Sequence, residues 1–416
     1  MAKKKVKILT IFGTRKELIK LYPVIDRLKA DEDFDSIVVA TSQYQEVFDD
    51  LYELYGITPD HDLNLRRNRH AFADITNLAL SGLEPLLKHH RPDLVLVHGE
   101  STSAFAGALA SFYNKIQVGH VGAGVRTFNK MQPYPQEVNR RMVSTLSDLH
   151  FAANSQNSEY LRYEGAIPNS IFVTGDTIVD SVLNIARKKR NTLCKHMPPD
   201  DIDAFKMILV TCHKKENWGK PLKRLCAALI DLTQAYPDVQ IVFPLKFNSE
   251  VRETVFKILN KKERIHLLDQ LPYAAFVEAM VRSHLIITDS DCIVEEGLAV
   301  RKPVLLFREK DEATDSHLAG CVKPIGLKRE SIVVETSRLI EDQNIARNLI
   351  AEFSLGGDGH AAERIVQAVR HHFGLGQRPK DYVPKAIEKP VQSKTAKRSI
   401  SNNDHHNSEH QVSGIR

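Results

Sequence analysis

An alternation constrains this chain more than any other feature. Short β-branched runs ending in turn residues recur at 6–13 (VKILTIFG), 36–42 (SIVVATS), 94–100 (LVLVHGE), 115–122 (KIQVGHVG), 148–155 (DLHFAANS) and 170–176 (SIFVTGD). Helical patterns such as 17–30 and 71–90 lie between several of them. A second set follows at 207–213 (MILVTCH), 239–246 (VQIVFPLK), 264–269 (RIHLLD), 285–291 (LIITDSD) and 302–308 (KPVLLFR). Strands alternating with helices imply βαβ units, because parallel neighbours need a long crossover. The fold class is α/β with parallel sheets.

At 416 residues the chain exceeds one ordinary core and predicts two domains. We read 1–185 as an N-terminal Rossmann-like domain and the polar, proline-containing stretch 186–206 as a linker. Residues 207–360 form a C-terminal Rossmann-like, nucleotide-binding domain. A helix over 361–374 is expected to pack back on the first domain, and 375–416 lacks apolar periodicity and reads as a disordered polar tail. Two Rossmann-like domains facing a central cleft make the GT-B architecture. Ligands of such folds bind beyond the carboxyl ends of the strands.

Composition narrows the class. With 42% hydrophobic residues and a net charge of +5 from 57 basic and 52 acidic residues, the chain is globular and carries no strong electrostatic signature. The Lys3–Lys5 run reads as a solvated start, not a nucleic-acid contact. Five cysteines without CxxC spacing argue against a disulfide framework or a zinc site, and no metal is expected. No run reaches the roughly 18–20 apolar residues that cross a membrane, and no signal peptide is evident. A cytoplasmic protein is expected.

The strand ends hold the polar groups. Gly13 and Thr14 form a strand-to-helix turn whose backbone N–H groups suit phosphate or sugar oxygens, with Arg15 and Lys20 close behind. No GxGxxG or Walker A pattern occurs. His213 is followed by Lys214, Lys215, Glu216 and Asn217 in a loop. Asp289 and Ser290 end another strand, with Ser290 a candidate helix N-cap. Glu295 and Glu296 follow, where acids suit the helix dipole, and Glu296 is also placed to face the cleft and hold ribose hydroxyls.

In order along residues 5–370, FGTRKELIK, ATSQ, VGHVGAGVRT, PYPQEVNRR, VTGDTIVDS, TCHKKEN, TDSDCIVEE, KPVLLFRE and GDGHAAERI make the chain resemble the non-hydrolysing UDP-N-acetylglucosamine 2-epimerases. The resemblance implies a GT-B homodimer that interconverts UDP-GlcNAc and UDP-ManNAc for cell-surface polysaccharide. It implies loss of the C2 proton, anti elimination of UDP to a 2-acetamidoglucal, and re-addition with no cofactor. By motif it implies catalytic roles for Arg15, Lys20, Glu100, Arg140 and His213. UDP-sugar binding is implied for Gln43, Arg69, Glu216, Asn217, Phe276, Ser290, Glu296 and Arg308.

The departures concentrate in the pocket. The family's HGD is His98-Gly99-Glu100, its VEAGLRT is VGAGVRT with Gly122 for glutamate, and Gln136 replaces the first acid before Glu137. Neither glycine nor glutamine is a general base at neutral pH. DSGG has become DSDC, setting Asp291 against the diphosphate, a repulsion of about 1–4 kcal/mol. Its RDTTERPE segment reads REKDEATD, and of a regulatory second-sugar pattern Gln43, Arg69 and Asn248 persist. Three readings follow. The chain is an active epimerase with Glu100 as the remaining base, or a catalytically silent homologue that binds, regulates or assembles with a true epimerase. The third, a GT-B glycosyltransferase, needs an acceptor pocket that the sequence does not reveal.

Overall fold

The computed structural model describes residues 4–42, 48–65, 71–188, 192–197, 204–245, 249–309, 322–342, 344–346 and 356–384. The first half builds strands β1 (Val6–Phe12), β2 (Phe34–Ala40), β3 (His61–Asp62), β4 (Leu94–His98), β5 (Gln117–Ala123), β6 (Leu149–Ala152) and β7 (Ile171–Val173). Between and after them come helices α1 (Arg15–Ala30), α2 (Asp49–Tyr55), α3 (Phe72–His90), α4 (Thr102–Tyr113), α5 (Gln136–Leu146), α6 (Ser155–Tyr163) and α7 (Thr177–Arg187). The second half alternates β8 (Lys206–Val210), α8 (Lys220–Ala235), β9 (Val239–Leu245), α9 (Ser249–Leu259), β10 (Ile265–Asp269) and α10 (Tyr273–Arg282). It continues with β11 (Leu285–Thr288), α11 (Asp291–Ala299), β12 (Val304–Leu306), β13 (Lys323–Pro324) and α12 (Arg329–Glu341). A last helix, α13, spans Ala361–His372.

Among the described residues every strand pair is parallel, and the sheets run β3-β2-β1-β4-β5-β6-β7 and β10-β9-β8-β11-β12-β13. This is the GT-B arrangement of two Rossmann-like α/β halves. The eleven sequence runs each overlap one strand, with β2, β5 and β8 extending one or two residues beyond theirs, while the two-residue β3 and β13 carry too little pattern to be read in advance. Parallel strands are covered on both faces, so their sequences are apolar throughout instead of alternating. All five residues of β4 and all seven of β9 are buried accordingly.

Local chemistry fixes the helix that starts the site. Thr14 caps α1 by accepting from the Glu17 amide, and the Glu17 carboxylate returns bonds to the Thr14 and Gly13 amides at 2.9 and 2.7 Å. Leu18, Leu21, Ile25 and Leu28 repeat at helical spacing and are each fully buried. Each contributes roughly 1.5–3 kcal/mol by leaving water.

Helix α13 lies on α1 and α7. The Asp180 carboxylate of α7 accepts from the Ala361 and Ala362 amides, and Arg370 reaches Asp31 and Asp33 at 2.7 Å each. The tail read as disordered from 375 needs correction over 375–384. There Arg378 lies 4.1 Å over the Phe172 ring and donates to Asn169 and Ile171 carbonyls, while the Tyr382 amide donates to Val173 O at 2.7 Å. Single polar side chains meeting an edge strand leave no periodic signal, so the sequence reads as featureless. Residues 385–416 lie outside the described residues. Within the stretch read as a linker, Leu193 and Met197 are buried, and Thr192 bonds to Glu278.

Candidate active site

Each sheet reverses its winding at one place, between β1 and β4 in the first and between β8 and β11 in the second. At such switch points the flanking connections leave in opposite directions and open a crevice beyond the strand ends. The segments that leave these four strands are Gly13–Arg15, Gly99–Ser101, Thr211–His213 and Asp289–Ser290. The polar groups read from sequence therefore converge because of strand order.

A cavity of about 740 Å³ occupies the crevice, with Arg15, Lys20, His213, Phe276, Ser290 and Glu296 on its walls. Its cations are held by protein carboxylates. Lys20 Nζ lies 3.0 Å from Asp176 Oδ2 and 2.8 Å from Glu295 Oε2. Burial alone would lower the Lys20 pKa, but Asp176 and Glu295 together raise it above the ordinary lysine value. Arg15 pairs both guanidinium nitrogens with Asp50, whose Oδ2 also accepts from the Tyr273 amide at 3.1 Å. Glu296 accepts from the Tyr273 hydroxyl at 3.0 Å, and burial lifts its pKa to about 7. Ser290 occupies the N-cap position of α11, although its hydroxyl makes no capping bond.

Asp289, fully buried, organises the loop after β8. It accepts from the His213 and Lys214 amides and from Asn217 Nδ2 at 2.8–3.0 Å. Two of the residues expected to bind substrate stand off the cavity wall. Asn217 is buried with its amide spent on Asp289 and the Phe307 carbonyl, and Glu216 is exposed on the short turn 215–217, away from the cavity wall. Arg308 is likewise absent from the wall, its Nη2 donating to both Asp291 oxygens at 2.9 Å. Gln43 and Arg69 lie outside the described residues, as does Asn248.

A second cavity of about 200 Å³ adjoins the first, and Lys16 lines both. Glu100 is on its wall, with Lys16 Nζ at 3.4 Å. Burial would raise the Glu100 pKa, but Lys16 and Arg140 outweigh it and hold the group down at about 2. Arg140 acts from below: its side chain is 3% exposed, does not reach the wall, and lies 3.4 Å from Glu137. His98 shares the cavity, and burial followed by the charge of Lys20 lowers its pKa to about 4, leaving a neutral ring at pH 7. Glu17 also lines it, and burial raises its pKa to about 7. Glu17 Oε1 and Gln136 Oε1 are both buried at this cavity.

The substituted positions behave differently. Glu137, the acid retained beside Gln136, is 1% exposed and accepts from the Thr127 and Phe128 amides at 3.0 and 3.1 Å. It anchors that turn and takes no part in the cavity wall. Gly122 sits at the irregularity in β5 with φ +72°, and a Cβ there would stand 3.0 Å from His98 Nε2. Backbone and neighbour both suit glycine.

Sequence reasoning missed Lys16, Asp50, Asp176, Tyr273 and the cleft role of Glu295. Lys16 had a signal, since it sits between Arg15 and Lys20 in the same turn and helix. Asp50, Asp176 and Tyr273 come from unrelated segments and had none. Among the described residues no cluster of three metal-binding side chains occurs, and no helix is long and apolar enough to cross a membrane.

Fold and cleft together define a GT-B protein with two Rossmann-like halves and a cavity at their switch points. A family model described as UDP-N-acetylglucosamine 2-epimerase matches residues 26–370. Over 378 residues the chain is 38% identical to the UDP-N-acetylglucosamine 2-epimerase of Bacillus subtilis, covering 91% of this chain and 98% of that one. The Escherichia coli K12 enzyme of the same name is 38% identical over 373 residues, covering 88% and 99%. Among solved structures, UDP-GlcNAc 2-epimerase from Neisseria meningitidis bound to UDP-GlcNAc superposes with TM-score 0.79 at 35% identity, covering 88% and 100%. A Staphylococcus aureus protein solved with UDP gives 0.81 at 34%, covering 91% and 100%. The chain belongs to the UDP-N-acetylglucosamine 2-epimerase family, whose general chemistry is isomerisation.

Proposed function

We propose that the cleft binds a UDP-N-acetylhexosamine and interconverts the C2 epimers by UDP elimination and re-addition. The large cavity holds the nucleotide, with Phe276, Ser290 and Glu296 on its wall, and the small cavity holds the sugar. Glu100 removes the C2 proton, while Arg15, Lys20 and His213 face the departing diphosphate. The observation that carries this reading is the adjoining pair of cavities at the switch points, with Glu100 in one and Arg15, Lys20 and His213 in the other. Residues of this chain do the proton transfer, so no metal or organic cofactor enters the scheme.

A second reading, a catalytically silent homologue that binds ligand or partners an intact epimerase, is favoured by the loss of acids at Gly122 and Gln136 and by the Lys16–Glu100 pair. One assay separates the two. Incubation with UDP-GlcNAc in deuterium oxide gives deuterium at C2 and accumulating UDP-ManNAc under the first. No exchange over hours at high protein concentration rejects it, and co-purification with an intact epimerase would support the second. A homodimer is also proposed, supported by the exposed Phe112 and Tyr113 at the end of α4, and light scattering tests it.

A further inference from the structure

One carboxylate of the cleft sits where an incoming anion would be drawn. Asp291 opens α11, and a helix start offers unsatisfied N–H groups and the positive end of the dipole. Arg308, its side chain 4% exposed, donates from Nη2 to both Asp291 oxygens at 2.9 Å. Lys214 Nζ stands 3.7 Å from Asp291 Oδ2, reaching in from the loop after β8. The residues on either side, Ser290 and Cys292, both line the 740 Å³ cavity. Two cations and a helix start are thus already committed to a protein carboxylate beside the cavity.

We propose that Asp291 is an internal counter-anion: it occupies the position at the start of α11 that phosphate oxygens would otherwise take, and so weakens the cleft's hold on the diphosphate of its nucleotide ligand. The inference rests on the reading of the cleft as a nucleotide site. A diphosphate entering beside Asp291 meets a like charge across a few ångströms. If it displaces the carboxylate instead, it must first break the pairing with a buried arginine, which is costly for a desolvated charge. A nucleoside without phosphates meets neither obstacle, because it brings no negative charge to the start of α11. The same carboxylate also lowers the positive charge available to a departing UDP, which links affinity to turnover.

Titration calorimetry of UDP and of uridine into the wild-type full chain, Asp291→Asn and Asp291→Gly tests this. The asparagine keeps the volume and the helix start while removing the charge, and the glycine variant gives a second reading should the first fold poorly. Both variants are expected to bind UDP at least tenfold more tightly than wild type, with uridine affinity unchanged within twofold. Equal UDP affinity in wild type and Asp291→Asn overturns the proposal and leaves the nucleotide reading intact. A parallel gain for uridine also overturns it, because steric opening and not charge would then be the cause. If neither UDP nor uridine binds any of the three proteins at millimolar concentration, the nucleotide reading fails and the proposal falls with it.

Discussion

Lys20 Nζ and Glu295 Oε2 stand 2.8 Å apart, joining α1 of the first half to α11 of the second with both side chains at most 7% exposed. Lys20 also holds Asp176 at 3.0 Å, so a single ammonium serves two carboxylates at the cleft floor. Removing one partner of a buried pair leaves the other desolvated and uncompensated, at a cost of about 3–5 kcal/mol. Lys20→Met, which strands two acids, is expected to cost that much. Glu295→Gln leaves Asp176 in place and should cost less, about 1–3 kcal/mol. Urea unfolding of both variants measures the order, and a larger loss for Glu295→Gln contradicts the arrangement.

Gly122 is the most direct place to try restoring an acid, and the structure predicts that the attempt is strained. At φ +72° an L side chain costs about 1–2 kcal/mol, and its Cβ would press on His98 Nε2 at 3.0 Å. Gly122→Ala should therefore lower stability by about 1–2 kcal/mol or more, and Gly122→Glu should do so without raising C2 exchange. Thermal unfolding and the exchange assay read the two outcomes separately.

In the proposed scheme Glu100 is the base, and Lys16 at 3.4 Å governs it. Glu100→Gln should reduce C2 deuterium exchange by about 10²–10⁴-fold, the usual contribution of a positioned general base. Lys16→Met removes the nearest cation holding the Glu100 pKa at about 2, so that pKa rises. Activity requires the ionised form, and its loss on acidification then occurs at higher pH than in wild type. Exchange near pH 7 should meanwhile increase, since the carboxylate becomes a stronger base. An unchanged acid limb would rule out Glu100 as the titrating group.

Glu17 makes stability depend on pH. Its pKa is raised from 4.5 to about 7 in the folded chain, chiefly by burial. The folded state therefore binds the proton more tightly, and this group's contribution is fully present below pH 4.5 and lost as pH rises through 7. Relative to Glu17→Gln, wild type should lose on the order of 2–3 kcal/mol between pH 4.5 and 8. Paired urea titrations at several pH values measure that difference, and a constant offset would show that Glu17 stays ionised.

The scaffold was largely legible because its signals are local. Runs such as LVLVH at 94–98 and VQIVFPL at 239–245 are apolar throughout because both faces of a parallel strand are covered. The turn residues after them mark where each strand stops, hence where a cleft must open. Arg15, Lys20, His213, Ser290 and Glu296 were found by that rule and line one cavity, which Phe276, implied only by the resemblance, also lines. Asn217 defeated it, since a polar residue past a strand end serves equally well as an internal brace for Asp289.

What the sequence determined by itself is the order of strands and helices, the glycine at 122 and the acids missing from 122 and 136. The tertiary structure decided how the remaining charges are used. Lys20 meets Asp176 across 156 positions, and Arg308 meets Asp291 across 17. Glu137 is spent on the backbone of the 127–128 turn, and the space beside Gly122 belongs to His98. Periodicity reflects the repeat of a single element against its surroundings. Ion pairing depends on which elements the sheet order brings within a few ångströms, and on how much water is excluded there.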